Sequence, residues 1–179
     1  AMNHGSIGFA TSTFEGHNGA NGLPMPSRFA CDNEMKHLIK AMSVNGRGIF
    51  MLTKSNNTHI NDIINLIGNI KRPTMVAALL QNPVKSNWAI DTLDDIKKAQ
   101  EAGYEIWGQV SCRPLTMEFT MQEPYFFEGL SAWKEYMIKN SFEDKIEVLK
   151  NKVFRDNVLK EILDTSKNKL FVGNWEKIK

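Results

Sequence analysis

Cysteine is scarce: Cys31 and Cys112 are the only two in 179 residues, and they stand far apart. That excludes a disulfide-stapled scaffold and fits reduced thiols in a cytoplasmic setting. Long apolar runs are also missing, since none approaches the roughly 18 residues that a membrane-spanning helix needs. No basic segment leading into an apolar core opens the chain, so no secretory leader is visible. Charge of one sign is lacking too, with 22 Lys and Arg against 20 Asp and Glu and a formal net charge of +2. The lysines near the C-terminus, from Lys145 to Lys169, are interleaved with acids, as on a solvated helix face. The balance asks for no nucleic-acid partner and no membrane surface.

The phosphate-binding signatures are absent as well. Neither G-x-G-x-x-G nor G-x-x-x-x-G-K-[ST] occurs, which argues against a small phosphate-dependent α/β enzyme. The four histidines are His4, His17, His37 and His59, with no H-x-H and no H-x-x-x-H among them. No tight His, Cys, Asp or Glu set offers a metal site, so no metal ligand is assigned.

What is present is a regular alternation of apolar runs and amphipathic stretches. Gly5 stops a turn of helix. Ser6 to Ser12 suits a buried strand, followed by a Gly-, Asn-, Pro- and Ser-rich loop from Thr13 to Arg28 whose length points to function. Asp32 caps a helix with Met35, Leu38, Ile39 and Met42 on one face. Gly48 to Leu52 is the next strand. Thr58 starts a helix with Ile60, Ile63, Ile64 and Ile67 on one face. Thr74 to Leu80 (TMVAALL) is a near-continuous apolar run, as in strands covered on both sides. Thr92 begins a helix with Leu93, Ile96 and Ala99 turned inward, and Tyr104 to Val110 is a further strand. Beyond an irregular stretch from Ser111 to Gly129 the chain reads as helices: Leu130 to Ile138, one capped by Ser141 with Ile146 and Leu149 buried, and Asn151 to Leu163 with Val153, Val158, Leu159 and Ile162 inward. Phe171 to Ile178 is read as a last short strand.

Strands spaced by helices imply βαβ units and a parallel sheet. With 42% hydrophobic residues, one domain over 1–179 is expected. Two parallel folds compete. A doubly wound sheet is complete at this length but usually carries an early glycine-rich loop. A (β/α)8 barrel needs about 250 residues, so this chain is then a partial barrel with extra C-terminal helices. In either fold the site lies at the carboxyl ends of the strands, and the polar residues there are Thr11, Ser12, His17, Arg28, Gln81, Gln109 and Arg113. Arg113 can clamp a carboxylate or hold loop carbonyls. His17 can bond within its loop or ligate. Cys112 reads as a buried structural thiol. Glu118, Glu123 and Glu128 offer acid–base chemistry or plain surface charge. Trp88, Trp107 and Trp133 read as packing residues.

One set of blocks has a familiar look. Gly8-Phe9-Ala10-Thr11-Ser12, then His17, then Asn21-Gly22-Leu23-Pro24-Met25-Pro26-Ser27-Arg28 resembles a segment of large amidohydrolases related to D-aminoacylases (N-acyl-D-amino-acid deacylases). Arg72-Pro73 with the apolar run ending Leu80-Gln81 resembles the following block, and Trp88, Gly103 to Val110 and Arg113-Pro114 the one after. The likeness runs from residue 1 to about 140. It implies a zinc-dependent barrel beside a small β-sandwich, in which metal-activated water hydrolyses a C–N bond of a small-molecule substrate. The family's ligands are an H-x-H on the first barrel strand, histidines on middle strands and a late aspartate. None maps onto a residue of this chain.

The expectation is therefore the central fragment of an amidohydrolase-like enzyme, inactive alone, with zinc in the parent family and none expected for the fragment itself. Such a fragment leaves barrel edges exposed and self-associates. The alternative is a self-contained, non-enzymatic α/β binding domain.

Overall fold

The computed structural model describes residues 1–81, 87–166, 169–171 and 173–178. The chain divides into two compact units, Ala1–Phe14 with Pro26–Leu115, and Glu15–Met25 with Thr116–Lys179. Among the described residues no helix is long and apolar enough to cross a membrane.

The first unit is mixed α/β. Four strands, β1 (Gly8–Ser12), β2 (Ile49–Thr53), β3 (Thr74–Ala77) and β4 (Ile106–Gly108), form one sheet in the order β1-β2-β3-β4, with every pair parallel. Three helices connect them: α1 (Asp32–Ser43), α2 (Ile60–Ile67) and α3 (Trp88–Glu101). The strand pleat sorts side chains to two faces. Phe50, Leu52, Val76 and Ile106 point to one face and are fully buried. Met35, Ile39, Ile63, Leu66 and Ile96 of the three helices join them in a single cluster. Each such side chain contributes about 1.5–3 kcal/mol by leaving water. The other face carries the register row Ala10, Met51, Met75 and Trp107, which lies outside that cluster.

Two local features set the strand contacts. A side chain at Gly8 would bring its Cβ to 2.1 Å from the Ile49 carbonyl oxygen, so only glycine lets β1 approach β2 there. Arg72 Nε donates to the Gly48 carbonyl at 3.1 Å, so the Arg72-Pro73 block ties the start of β3 to the start of β2.

The second unit is helical: α4 (Tyr125–Glu128), α5 (Lys134–Met137), α6 (Phe142–Lys150) and α7 (Lys152–Leu163). Its core is aromatic. Trp133 stacks on Phe127 at 4.7 Å and packs on Tyr136 at 5.1 Å and Phe154 at 5.3 Å. Phe171 meets the Phe127 ring edge-on at 5.5 Å. The Tyr136 hydroxyl donates to the Met121 carbonyl, which gives this buried phenol its partner. Gly22 belongs here too: its φ of +69° and the Glu128 carbonyl 2.8 Å from any added Cβ both demand glycine.

Several sequence expectations need correction. Phe171 to Ile178 is not a strand; Trp175–Lys177 forms a 3-10 turn, and Val172 lies outside the described residues. Of the TMVAALL run only Thr74–Ala77 is strand, and past it the Leu79 amide still donates to the Gln109 carbonyl at 2.8 Å. α3 starts at Trp88, not Thr92, whose hydroxyl instead donates back to the Trp88 carbonyl at 2.8 Å. The helix read over Leu130 to Ile138 is two short pieces, a 3-10 turn at Ser131–Trp133 and then α5. Leu38, Leu93, Val153 and Leu159 are exposed rather than inward, Val148 is the buried residue of α6, and Phe154 joins Val158 and Ile162 as buried in α7. Met35, Ile39, Met42, Ile96, Ala99, Val158 and Ile162 are buried as expected, so the stripes hold and the misses lie at their margins. Cys112 is an exposed free thiol, not a buried one. Trp107 is 56% exposed, not a packing residue. The loop predicted over Gln81 to Asp91 falls outside the described residues at 82–86.

Candidate functional site

The carboxyl ends of β1 and β2 gather three buried polar residues of the first unit, Ser12, Lys54 and Ser55, while Thr74 and Thr92 are buried elsewhere. Ser12 ends β1, its hydroxyl accepting from the Phe14 amide at 3.2 Å and its carbonyl from the Ser27 hydroxyl at 2.8 Å. Beside it, the Ser55 amide donates to the Thr13 hydroxyl at 3.3 Å. The Ser55 and Thr58 hydroxyls are 3.0 Å apart, and the Asn57 amide donates to Ser55 Oγ at 3.1 Å. These bonds fold the β2–α2 connection over the strand ends.

Lys54 sits at the centre of this connection and is only 6% exposed. Its ammonium donates to the Thr58 carbonyl at 2.9 Å and the Ser55 carbonyl at 3.4 Å, and lies 4.4 Å from the Trp88 ring centre. A buried ammonium needs such compensation, and carbonyl dipoles with an aromatic face supply it. Local sequence explains the position: Lys54 is the first residue after the apolar run Ile49–Thr53, and α3 opens on Trp88.

Of the residues singled out from sequence, Ser12 belongs to this cluster. Thr11 is half-buried one residue earlier on β1. Arg28 is half-buried in the 3-10 turn Pro26–Phe29. Gln81 is exposed beyond β3. Gln109 is exposed beyond β4, its amide donating to the Val76 carbonyl at 2.9 Å. Arg113 is exposed, with its carbonyl accepting from Ser111 Oγ. His17 belongs to the second unit and is half-buried there. Lys54, Ser55, Thr58 and Trp88 were not among the sequence candidates for this edge. The signal was a charged residue directly after an apolar strand, which marks either a loop start or a rim group.

The family resemblance brings zinc with it, and the donor set answers whether zinc fits. Zinc takes imidazole, thiolate or carboxylate groups. The β1–β2 edge offers hydroxyls and an ammonium, and an ammonium repels a cation. Among the described residues no group of three or more His, Cys, Asp and Glu side chains comes together. The edge does not fit zinc. What it can do is donate hydrogen bonds and positive charge to a carbonyl or carboxylate oxygen.

In the second unit, burial raises the Glu128 carboxyl above its ordinary value, with Glu123 adding to the shift and Lys145 opposing it. Burial likewise raises the Tyr125 phenol, helped by Glu128. Glu118 and Glu123 are exposed.

Sheet and edge together define an α/β protein with a hydroxyl- and lysine-lined rim at the carboxyl ends of parallel strands. No family model, no curated protein and no solved structure matches this chain.

Proposed function

We propose that this chain is a four-strand sector of an amidohydrolase-like (β/α)8 barrel, and that the sector alone turns over no substrate. The parent enzyme hydrolyses a C–N bond, such as the amide of an N-acyl-D-amino acid. Water adds to the amide carbonyl carbon, the C–N bond breaks, and the nitrogen leaves with a proton as the free amine.

The observation that carries the reading is the strand order. A doubly wound sheet reverses its order at a switch point. Here each strand neighbours the next without reversal, all are parallel, and α1, α2 and α3 feed one core on one face. A barrel wall runs strand after strand in this way, which supports the reading. The resemblance blocks follow the chain in the same order. In this reading Thr11, Ser12, His17, Arg28, Gln81, Gln109 and Arg113 are substrate-binding candidates, Lys54 joins them, and the family's zinc belongs to strands other than these four. The reading involves a small-molecule substrate, no nucleic acid and no membrane.

The test is release of free amine from a panel of N-acetyl-D-amino acids by the purified chain. The expected rate equals that of buffer. Steady turnover proportional to protein overturns the claim of incompetence. The flanking coding sequence provides the second arm: an H-x-H upstream and an aspartate block downstream support the parent barrel, and stop signals close on both sides overturn it.

A further inference from the structure

We propose that the loop from Glu15 to Met25 is a strap carrying His17, that its catch is the seating of Gly22 on the end of α4, and that Glu128 is the residue that holds or releases it. The proposal stands on the second unit's own geometry and does not need the barrel reading.

The strap leaves one unit and returns to it. Phe14 and Ser27 flank it in the first unit, both bonded to Ser12 at the carboxyl end of β1. The residues from Glu15 to Met25 belong to the second unit. There the strap holds a defined shape. The Gly19 amide donates to the Leu23 carbonyl at 2.6 Å, the Leu23 amide donates to the Ala20 carbonyl at 3.3 Å, and Asn18 forms an antiparallel bridge with Pro24. Its 3-10 turn, Ala20–Gly22, packs on α4 and α5. The fit is close at two successive seat residues. A Cβ at Gly22 would lie 2.8 Å from the Glu128 carbonyl oxygen, and a Cβ at Gly129 would lie 3.2 Å from the Asn18 side-chain nitrogen.

This seat is one that a single charge can move. α4 spans only Tyr125–Glu128, a length that holds through packing and not by itself. Phe127 is its buried anchor, and Glu128 is its last residue. The Glu128 side chain is half-buried, and its carboxyl is raised by burial and then by Glu123, with Lys145 opposing. Tyr125 is the titrating neighbour on the same helix, and the strap brings Glu15 and His17 into the unit. Protonated, the Glu128 carboxyl stays against the protein and the seat is whole. Ionised, it draws water and is repelled by Glu123, so the end of α4 turns away from Gly22. The closed strap is therefore favoured fully below the ordinary carboxylate range and loses that advantage as pH rises through the raised value. A segment held by so few bonds opens locally before its unit unfolds, and His17 moves with it.

The test is hydrogen exchange on the full chain across the mildly acid range, corrected for the intrinsic pH dependence of exchange, in the parent, Glu128→Gln and Gly22→Ala. The strap is read at the Gly19 and Leu23 amides. Thr13, bonded to the Thr53 carbonyl, and Arg155, bonded to the Asn151 carbonyl, are the references in the two units. In the parent, strap protection falls as pH rises, more steeply than at Thr13 or Arg155. Glu128→Gln keeps the strap protected across the range. Gly22→Ala lowers strap protection at every pH, on the order of tenfold from the left-handed alanine alone. Flat strap protection in the parent overturns the proposal, and so does an equal fall at Arg155, which marks opening of the whole helical unit. A Glu128→Gln variant that tracks the parent, or a Gly22→Ala variant as protected as the parent, overturns it as well. Should Gly22→Ala fail to fold, the parent and Glu128→Gln decide. Amine release is untouched by any of these outcomes, so the barrel reading keeps its own test.

Discussion

Lys54 combines deep burial with a charge, and the two oppose each other unless its donors are used. Two of its bonds go to carbonyls of the connection it belongs to, and the Trp88 ring covers another side. Lys54→Met keeps the stem's length and removes the donors, leaving carbonyls that pull the connection out of place. A loss of about 1.5–3 kcal/mol is expected, read as a lower urea midpoint with an unchanged slope. Glu128 gives a pH signature in the second unit. Its folded-state value is raised, first by burial and then by Glu123, so the folded form holds the proton more tightly than the unfolded form does. Its contribution to stability is then full below the ordinary carboxylate range and is lost as pH rises through the raised value. Urea midpoints across the mildly acid range should decline toward neutral pH in the parent. Glu128→Gln should flatten that decline and be the more stable form at neutral pH; parallel curves would refute the assignment to Glu128. Lys54 was not legible as special in the sequence, and Glu128 was one of three glutamates read as acid–base groups or plain surface charge. Lysine and glutamate are usually exposed, and only the folded neighbours reverse that.

The elements were more legible where local signals are strong. Ser141 accepts from the Asp144 amide at 3.0 Å as its position before an amphipathic run implies. Gly5, with φ 96°, ends the first helical turn as read. Asn151 does the same work for α7: its side-chain oxygen accepts from the Val153 amide at 2.8 Å and the Phe154 amide at 3.3 Å. Asn151→Ala should cost about 1 kcal/mol, seen as a lower melting temperature of the helical unit, while Asn151→Asp should hold it. Boundaries were less legible. α2 starts at Ile60, after His59 rather than Thr58, because the Asp62 carboxylate reaches back to the His59 amide at 2.8 Å. α3 starts at Trp88, ahead of the expected Thr92, and Trp88 packs against the first unit's core. Such starts depend on partners outside the segment, which propensity does not contain.

At the scale of the molecule, the parallel α/β class followed from alternating apolar strands and amphipathic helices, and the structure has it. The absence of phosphate loops and metal motifs is a matter of residue identity and was plain from the chain alone. The amine-release assay on the whole chain belongs at this scale, because it asks whether one sheet and its rim suffice for chemistry. What the sequence by itself determined was the kind and order of elements, since hydrophobic period, caps and glycines act over a few residues. What only the tertiary structure decided was the strand order without reversal, the face of the sheet that the helices cover, and the burial of Lys54 against Trp88. Those depend on contacts between residues far apart in the chain, where one shift of stripe or register exchanges the buried side chain for the exposed one.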